Sequence, residues 1–205
     1  MADAARFPIP AGTHRVETVE RRSRFIATAG HAPDADAARA VVERVRQEMP
    51  DATHHCWAFV AGPPGSTTRI GMSDDGEPHG TAGRPMLTAL LHGGVGEIVV
   101  VCTRYFGGVK LGTGGLSRAY ADATKQVLAT LPTVERVERV VVTVRAGYPE
   151  VDALQRLFAE WDVVVDEEEY GTEVRYRLGV PAPDLVAFTE GLGDATQGRA
   201  VVEPA

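Results

Sequence analysis

Two short segments of this chain concentrate the residue types that bind ligands or carry out acid–base chemistry. The first, residues 73–85, reads SDDGEPHGTAGRP and holds three carboxylates, three glycines and two prolines. The second, residues 104–116, reads RYFGGVKLGTGGL and interleaves aromatic, basic and glycine residues. A hydrophobic core does not require either composition. We therefore call them the acidic segment and the glycine segment, and treat them as the candidate functional residues.

The acidic segment allows three interpretations of Asp74, Asp75 and Glu77. They can act as general acid and base, if a substrate lies within hydrogen-bonding distance. They can bind a metal, but Mg²⁺ adds substrate phosphates and Ca²⁺ takes six or more oxygens, which these residues do not supply. They can be structural, because Asp and Ser side chains bond their own backbone in tight turns. The density of polar residues favours a binding surface that includes Ser73 and Thr81.

The glycine segment is expected to bind an anion or phosphate. Gly112 and Gly114 precede a helix predicted from Gly115 to Leu131, whose first amides are free to donate to an anion. The segment is not a Walker A loop, because Lys110 precedes the glycines, and it lacks the glycine spacing of a dinucleotide-binding fingerprint. The alternative is that only glycine fits between a tightly packed strand and helix.

Basic and aromatic side chains around these segments predict a further binding surface. Such a mixture suits phosphate contact with base stacking, or a protein interface anchored by Arg and Tyr. The residues in question are Arg84, Arg104, Tyr105, Lys110 and Arg118.

No metal site and no cofactor are predicted. The run His54-His55-Cys56 suggests zinc, but on a strand only His54 and Cys56 share a face, which leaves at most two ligands. Cys56 and Cys102 lie in apolar, strand-like runs, where we expect buried free thiols in a reducing compartment. No apolar stretch is long enough to span a bilayer, so the sequence predicts a cytoplasmic protein without membrane contact.

Charge divides the 205 residues into two parts. There are 14 Lys and Arg against 13 Asp and Glu up to Pro132, and 7 against 15 after it. We therefore predict two domains, residues 1–132 and 133–205. A nearly neutral first domain does not favour non-specific nucleic-acid binding, and the acidic second domain repels phosphate backbones.

Hydrophobic periodicity predicts an α+β fold for both domains. In the second domain the order is β-α-β-β-α-β, as in ferredoxin-like domains, with the acidic run 166–169 in a solvated hairpin loop. The predicted strands are 15–20, 25–30, 56–60, 69–72, 98–102, 139–145, 163–166, 172–180 and 199–202, and the helices are 34–49, 84–92, 115–131, 149–160 and 184–192.

The acidic and glycine segments resemble the paired signatures of the IMPACT/YigZ family, and a weaker similarity covers most of the chain. The resemblance implies an N-terminal domain with the fold of elongation factor G domain IV, the second domain of a small-subunit ribosomal protein and the GHMP kinases. It implies a C-terminal domain similar to elongation factor G domain V. Fold kinship of this kind does not establish an activity.

The same resemblance implies a role in translation. Eukaryotic relatives bind a large ribosome-associated activator of the amino-acid-starvation kinase and thereby restrain that kinase. We expect this chain to lack their N-terminal RWD domain and to carry an acidic C-terminal domain in its place, as bacterial relatives do. We interpret it as a non-enzymatic binding module with a protein or ribosome-associated partner. The alternatives are an enzyme acting on a phosphorylated or nucleotide substrate, as a phosphotransferase or hydrolase, and a direct RNA-binding protein.

Overall fold

The structure, a computed structural model, describes residues 6–204. The chain forms two compact units, the first ending at Arg136 and the second beginning at Val137. The strands are β1 (Arg6–Pro10), β2 (His14–Glu20), β3 (Ser23–His31), β4 (His54–Val60), β5 (Ile70–Ser73), β6 (Ile98–Tyr105), β7 (Thr133–Val137), β8 (Arg139–Ala146), β9 (Val164–Tyr170), β10 (Val174–Pro181) and β11 (Val201–Pro204). The helices are α1 (Ala35–Glu48), α2 (Gly83–Leu91), α3 (Gly112–Thr130), α4 (Val151–Glu160) and α5 (Leu185–Thr196). The predicted α+β class is confirmed.

The N-terminal unit is built on an antiparallel sheet in the order β2-β3-β6-β4-β5. The central strand β6 is buried from Ile98 to Arg104, because helices cover both faces of the sheet. Helix α1 packs on one face, and α2 and α3 pack on the other. The continuous apolar run of β6 is the pattern expected for a strand between two layers.

Helix α1 begins as its sequence predicts. The side chain of Asp34 accepts a hydrogen bond from the amide of Ala37 (2.7 Å), which satisfies one of the amides at the start of the helix. Its apolar residues Ala38, Val41 and Val45 are buried against the sheet. Capping and the 3.6-residue period therefore suffice to predict this element.

Helix α3 begins three residues before its predicted start. Gly112 to Gly115 form its first turn and do not precede it. Gly112 has φ of +74°, a conformation that glycine adopts without a steric penalty. Glycine is a poor helix former, and for this reason the sequence pattern placed the start too late.

Strands β1 and β7 were not predicted. They pair in a two-stranded sheet within the described residues. Strand β1 contains Pro8 and Pro10, and proline does not indicate a strand in a sequence. Proline cannot donate a hydrogen bond to a neighbouring strand and is confined to sheet edges. Residues 133–136 pair within the N-terminal unit, so the units divide four residues after the predicted boundary.

The C-terminal unit has the ferredoxin-like element order and an antiparallel sheet in the order β11-β8-β10-β9. Helices α4 and α5 pack Leu154, Phe158 and Phe188 against it. The acidic run 166–169 lies in the exposed edge strand β9, so the predicted hairpin loop was wrong there. Charged residues are common on edge strands, where they discourage pairing with other chains.

Within residues 6–204, no helix is both long enough and apolar enough to cross a membrane.

Candidate functional site

The acidic segment forms the loop between β5 and α2, and Asp74 organises it. The Asp74 carboxylate accepts hydrogen bonds from the amides of Gly80 (2.7 Å), Ala82 (3.0 Å) and Gly83 (2.8 Å). Burial disfavours the charged form of Asp74, but these three donors outweigh burial and lower the pKa of the carboxyl below its ordinary value. A carboxylate at the start of a helix is also favoured by the helix dipole. Asp74 therefore stabilises the start of α2.

The neighbouring polar residues of the loop are engaged in the same way. Asp75 binds the guanidinium of Arg46 through Oδ1 (2.6 Å) and accepts the amide of His55 through Oδ2 (2.7 Å). Ser73 Oγ accepts the amide of Asp75 (3.1 Å). Thr81 Oγ1 donates to the carbonyl of Pro78 (2.6 Å). These contacts favour the structural interpretation of the acidic segment over an exposed acidic surface.

Glu77 lies at the centre of a buried hydrogen-bond network. Its Oε1 accepts hydrogen bonds from Arg104 Nη1 (2.6 Å) and from the hydroxyl of Tyr120 (2.8 Å). The side chains of Glu77 and Arg104 are 3% and 6% exposed. The guanidinium carbon of Arg104 also lies 5.5 Å from the ring centre of Phe25 and 5.6 Å from that of Phe106. The prediction of Arg104 as a surface residue was therefore wrong, because a carboxylate 27 positions earlier pairs with it.

The thiols of Cys56 and Cys102 lie beside this buried network. Cys56 donates to the carbonyl of Asp74 (2.9 Å) and contacts the Tyr120 hydroxyl (3.4 Å), and it lies opposite Cys102 in the β4–β6 register. Both cysteines are free and buried, as predicted. Burial raises the pKa of Cys56 to about 12 and that of Cys102 well above its ordinary value. Both thiols thus stay protonated at neutral pH and are poor nucleophiles.

The two segments meet at a cleft of about 390 Å³ at the start of α3. Its lining includes His54, Glu77, Arg104, Phe106, Lys110, Gly112 and Thr113. We call this the Lys110 cleft. Lys110 is exposed. His54 donates through Nδ1 to the carbonyl of Asp75 (2.8 Å), which fixes its ring with Nε2 4.0 Å from Glu77.

The start of α3 and the side chain of Arg104 line the Lys110 cleft. In the described chain, the residue before α3, Leu111, makes no side-chain cap, and the first turn of the helix holds no acidic residue. The Nε of Arg104 has no hydrogen-bond partner within residues 6–204. Unpaired amides at a helix start and a cationic side chain are the donors that bind phosphates and carboxylates. The cleft therefore has the chemistry of an anion site.

The glycines of this first turn are only partly explained by packing. A Cβ atom added at Gly112 or Gly114 would meet no atom within 4 Å among the described residues. At Gly115 it would lie 3.0 Å from the Cβ of Leu111. At the first two positions the absence of a side chain leaves the backbone open to a ligand, whereas at Gly115 glycine also avoids a close contact.

The predicted basic and aromatic surface does not exist as one surface. Tyr105 points to the α1 face and donates to Asp51 (3.1 Å), and burial together with Asp51 raises the pKa of its hydroxyl. Arg84 lines a groove between α2 and α3, and Arg118 lines a separate cleft beside β2. Alternation along β6 puts Arg104 and Tyr105 on opposite faces. Of the predicted basic residues, the Lys110 cleft holds Arg104 and Lys110.

Sequence reasoning did not assign Phe106, Thr113 or His54 to the anion site. Phe106 and Thr113 lie inside the glycine segment, so their position was a usable signal. His54 was considered as a zinc ligand only, and its proximity to the cleft depends on the β4–β6 pairing. Within residues 6–204, no group of three or more His, Cys, Asp and Glu side chains is arranged to hold a metal.

We expect Asp74→Asn to lower the free energy of unfolding by about 1–3 kcal/mol at pH 7, because three amides lose a charged acceptor. The folded-state pKa of Asp74 is lowered, so its stabilisation is present above the unfolded pKa of about 4 and is lost as the pH falls through the folded pKa. The difference between wild type and variant should therefore shrink in acid. Urea unfolding at pH 7 and pH 3 measures it. Asp36→Asn, at a side chain 90% exposed, is the control and should change little. An equal effect of both substitutions would contradict the capping role.

Comparison with known proteins assigns both units to described families. Residues 21–128 match the Impact N-terminal domain, and residues 144–199 match a domain of unknown function, DUF1949. The chain is 41% identical over 190 residues to "IMPACT family member YigZ" of Escherichia coli (strain K12), covering 93% of each protein. It is 32% identical to "IMPACT family member YvyE" of Bacillus subtilis (strain 168), covering 94% of this chain and 87% of that protein.

A solved structure described as "Crystal structure of an hypothetical protein" is also similar, with a TM-score of 0.70, 39% identity and 98% of each chain covered. The matched Impact N-terminal domain spans the acidic segment, the glycine segment and the Lys110 cleft between them. The similarity to the whole-length relatives extends through both units. The chain is therefore a member of the IMPACT family.

Proposed function

We propose that this protein is a binding module that associates with the translation apparatus and holds an anionic group of its partner in the Lys110 cleft. The observation that carries the proposal is the uncapped start of α3, whose first residues line one cleft together with Lys110 and Arg104. The anion is a phosphate or a carboxylate, since both match backbone and guanidinium donors.

A binding role is supported over a catalytic one by the state of the acidic residues. Asp74 and Asp75 are held by backbone amides and Arg46, and Glu77 is neutralised by Arg104. A general base needs a free lone pair within reach of a substrate proton. The contacts of these carboxylates belong to the fold, and what remains exposed at the cleft is cationic and aromatic.

The local charge favours an anion of modest size. The charges of Glu77 and Arg104 offset each other, which leaves Lys110 as the exposed charge of the cleft. Phe106, 48% exposed, provides a flat apolar surface beside it. A ligand with one anionic group beside an apolar or aromatic group would contact both Lys110 and the ring of Phe106.

The link to translation comes from family membership together with charge. The family resemblance implies a ribosome-associated partner, and the N-terminal part of the chain is close to neutral. Counterion release dominates non-specific nucleic-acid binding, and it requires many cations. We therefore expect a specific contact anchored at one cleft and not a general attraction to RNA.

Titration with inorganic phosphate, followed by amide chemical shifts of the whole chain, tests the cleft. The shifts should concentrate on residues 112–115, and Lys110→Ala should weaken binding roughly tenfold, the equivalent of one charge-assisted hydrogen bond. Arg69→Ala removes the same charge from an exposed position outside the cleft and should leave the affinity unchanged. Shifts scattered over the surface, or equal weakening by both substitutions, would count against the anion site.

A further inference from the structure

A groove of about 830 Å³ runs between α2 and α3, away from the Lys110 cleft. One wall carries Arg84, Thr88 and His92, and the other carries Lys125 and Ala129. Residues four apart lie on one face of a helix, so each wall is a ridge along its helix. The space between two such ridges has the shape that receives a third helix.

The rest of the groove lining is apolar, and apart from Leu128 its residues are small. They include Pro85, Ala89, Gly93 and Ala121. Small side chains leave room for large apolar side chains of a partner, as in grooves that bind amphipathic helices.

The charged residues of the groove lining are cations. They are Arg84 and Lys125, and the lining contains no Asp or Glu. Among residues 6–204, neither Arg84 nor His92 lies within 4 Å of a carboxylate, and Lys125 has Asp122 at 3.8 Å in an exposed pair. Exposed pairs contribute little energy, so Lys125 is free to change partner. The groove thus contrasts with a chain of net charge −7 and is complementary to an acidic ligand.

We propose that this groove binds an amphipathic helix of a protein partner, with apolar side chains against the apolar part of the lining and carboxylates facing Arg84 and Lys125. The bound helix presents apolar residues at i, i+3 or i+4 and i+7. This surface is a second contact, separate from the anion in the Lys110 cleft, and it does not depend on that proposal.

Selection from a displayed library of 16-residue helical peptides, with leucine on one face and all other positions randomised, tests the proposal on the whole chain. The enriched peptides should carry net negative charge. Their binding should shift the amides of residues 84–93 and 121–129. The affinity should fall at least tenfold in Ala129→Trp, which fills the groove, and should be retained in Ala40→Trp, the matched change at an exposed alanine of α1.

A second variant tests the charge of the groove without filling it, so the proposal remains testable even if Ala129→Trp does not fold. Arg84→Glu combined with Lys125→Glu should weaken the acidic peptides and leave the groove open. Failure to enrich any peptide, enrichment without a preference for acidic residues, or equal binding to Ala129→Trp would overturn the proposal. So would amide shifts at the groove on addition of RNA, or self-association of the chain that Ala129→Trp abolishes.

Discussion

Replacing Glu77 with Gln is expected to lower the free energy of unfolding by about 3–5 kcal/mol, because it leaves the guanidinium of Arg104 buried without a counter-charge. Arg104 is 6% exposed on its side chain, and its Nε is already unpaired within residues 6–204. The Tyr120 hydroxyl also loses its charged acceptor. Equilibrium unfolding in urea at pH 7 measures the loss. This is one of the two largest effects that we expect in the N-terminal unit.

Two variants calibrate this result. Glu20→Gln, at a side chain 54% exposed in the same unit, should change stability by less than about 0.5 kcal/mol. The double replacement Glu77→Leu with Arg104→Met should recover much of the loss, since an apolar pair of similar volume avoids the cost of burying charge. If the free energy of unfolding of Glu77→Gln lies within about 1 kcal/mol of the wild-type value, the guanidinium of Arg104 is hydrated in the variant. That result would contradict the buried network.

Gly107→Ala is expected to cost at least about 3 kcal/mol, because a new Cβ atom collides with backbone. The added atom would overlap the carbonyl carbon and oxygen of Arg22 and would lie 2.6 Å from the nitrogen of Ser23. Gly107 also donates its amide to Ser23 Oγ (3.2 Å). Relief of the collision requires the chain after β6 to separate from the start of β3. Thermal and urea unfolding of the variant measure the cost.

Gly114→Ala is the matched comparison from the same segment. An added Cβ there meets no atom within 4 Å among the described residues, and the position lies in the first turn of α3. Alanine is the better helix former, so stability should rise by up to about 1 kcal/mol. Similar destabilisation by both substitutions would contradict the distinction between a packing glycine and an open one.

Helices and strands of both units could be predicted where a local sequence pattern, such as a helix cap or strand alternation, is enough to determine them. Asp34 caps α1, and the alternation along β10 buries Val174, Tyr176 and Leu178 while Arg175 and Arg177 face solvent. The misplaced start of α3 and the missed β1 arose at glycines and prolines, whose local preference opposes the element that they form. Their conformation depends on packing between distant segments, which one sequence does not display.

The site was harder to predict, because its contacts connect residues that are far apart in the chain. Lys110 and Gly112, which the composition of the glycine segment indicated as binding residues, line one cleft. Composition alone did not reveal that Glu77 and Arg104 pair, since a buried ion pair and two exposed charges look the same in a sequence. The predicted strand ended at residue 102, whereas β6 continues to Tyr105. A longer predicted strand would have placed Arg104 and Tyr105 on opposite faces and corrected the predicted surface.

Co-sedimentation of the whole chain with ribosomes at low and moderate salt tests the central claim most directly. We expect wild type and Arg69→Ala to be retained at moderate salt, because a packed contact anchored by one charge is less sensitive to salt than counterion-driven binding. Lys110→Ala should not be retained, because it removes that charge. No retention of wild type at either salt concentration would contradict the account. Retention that disappears with salt to the same extent in all three proteins would contradict it as well.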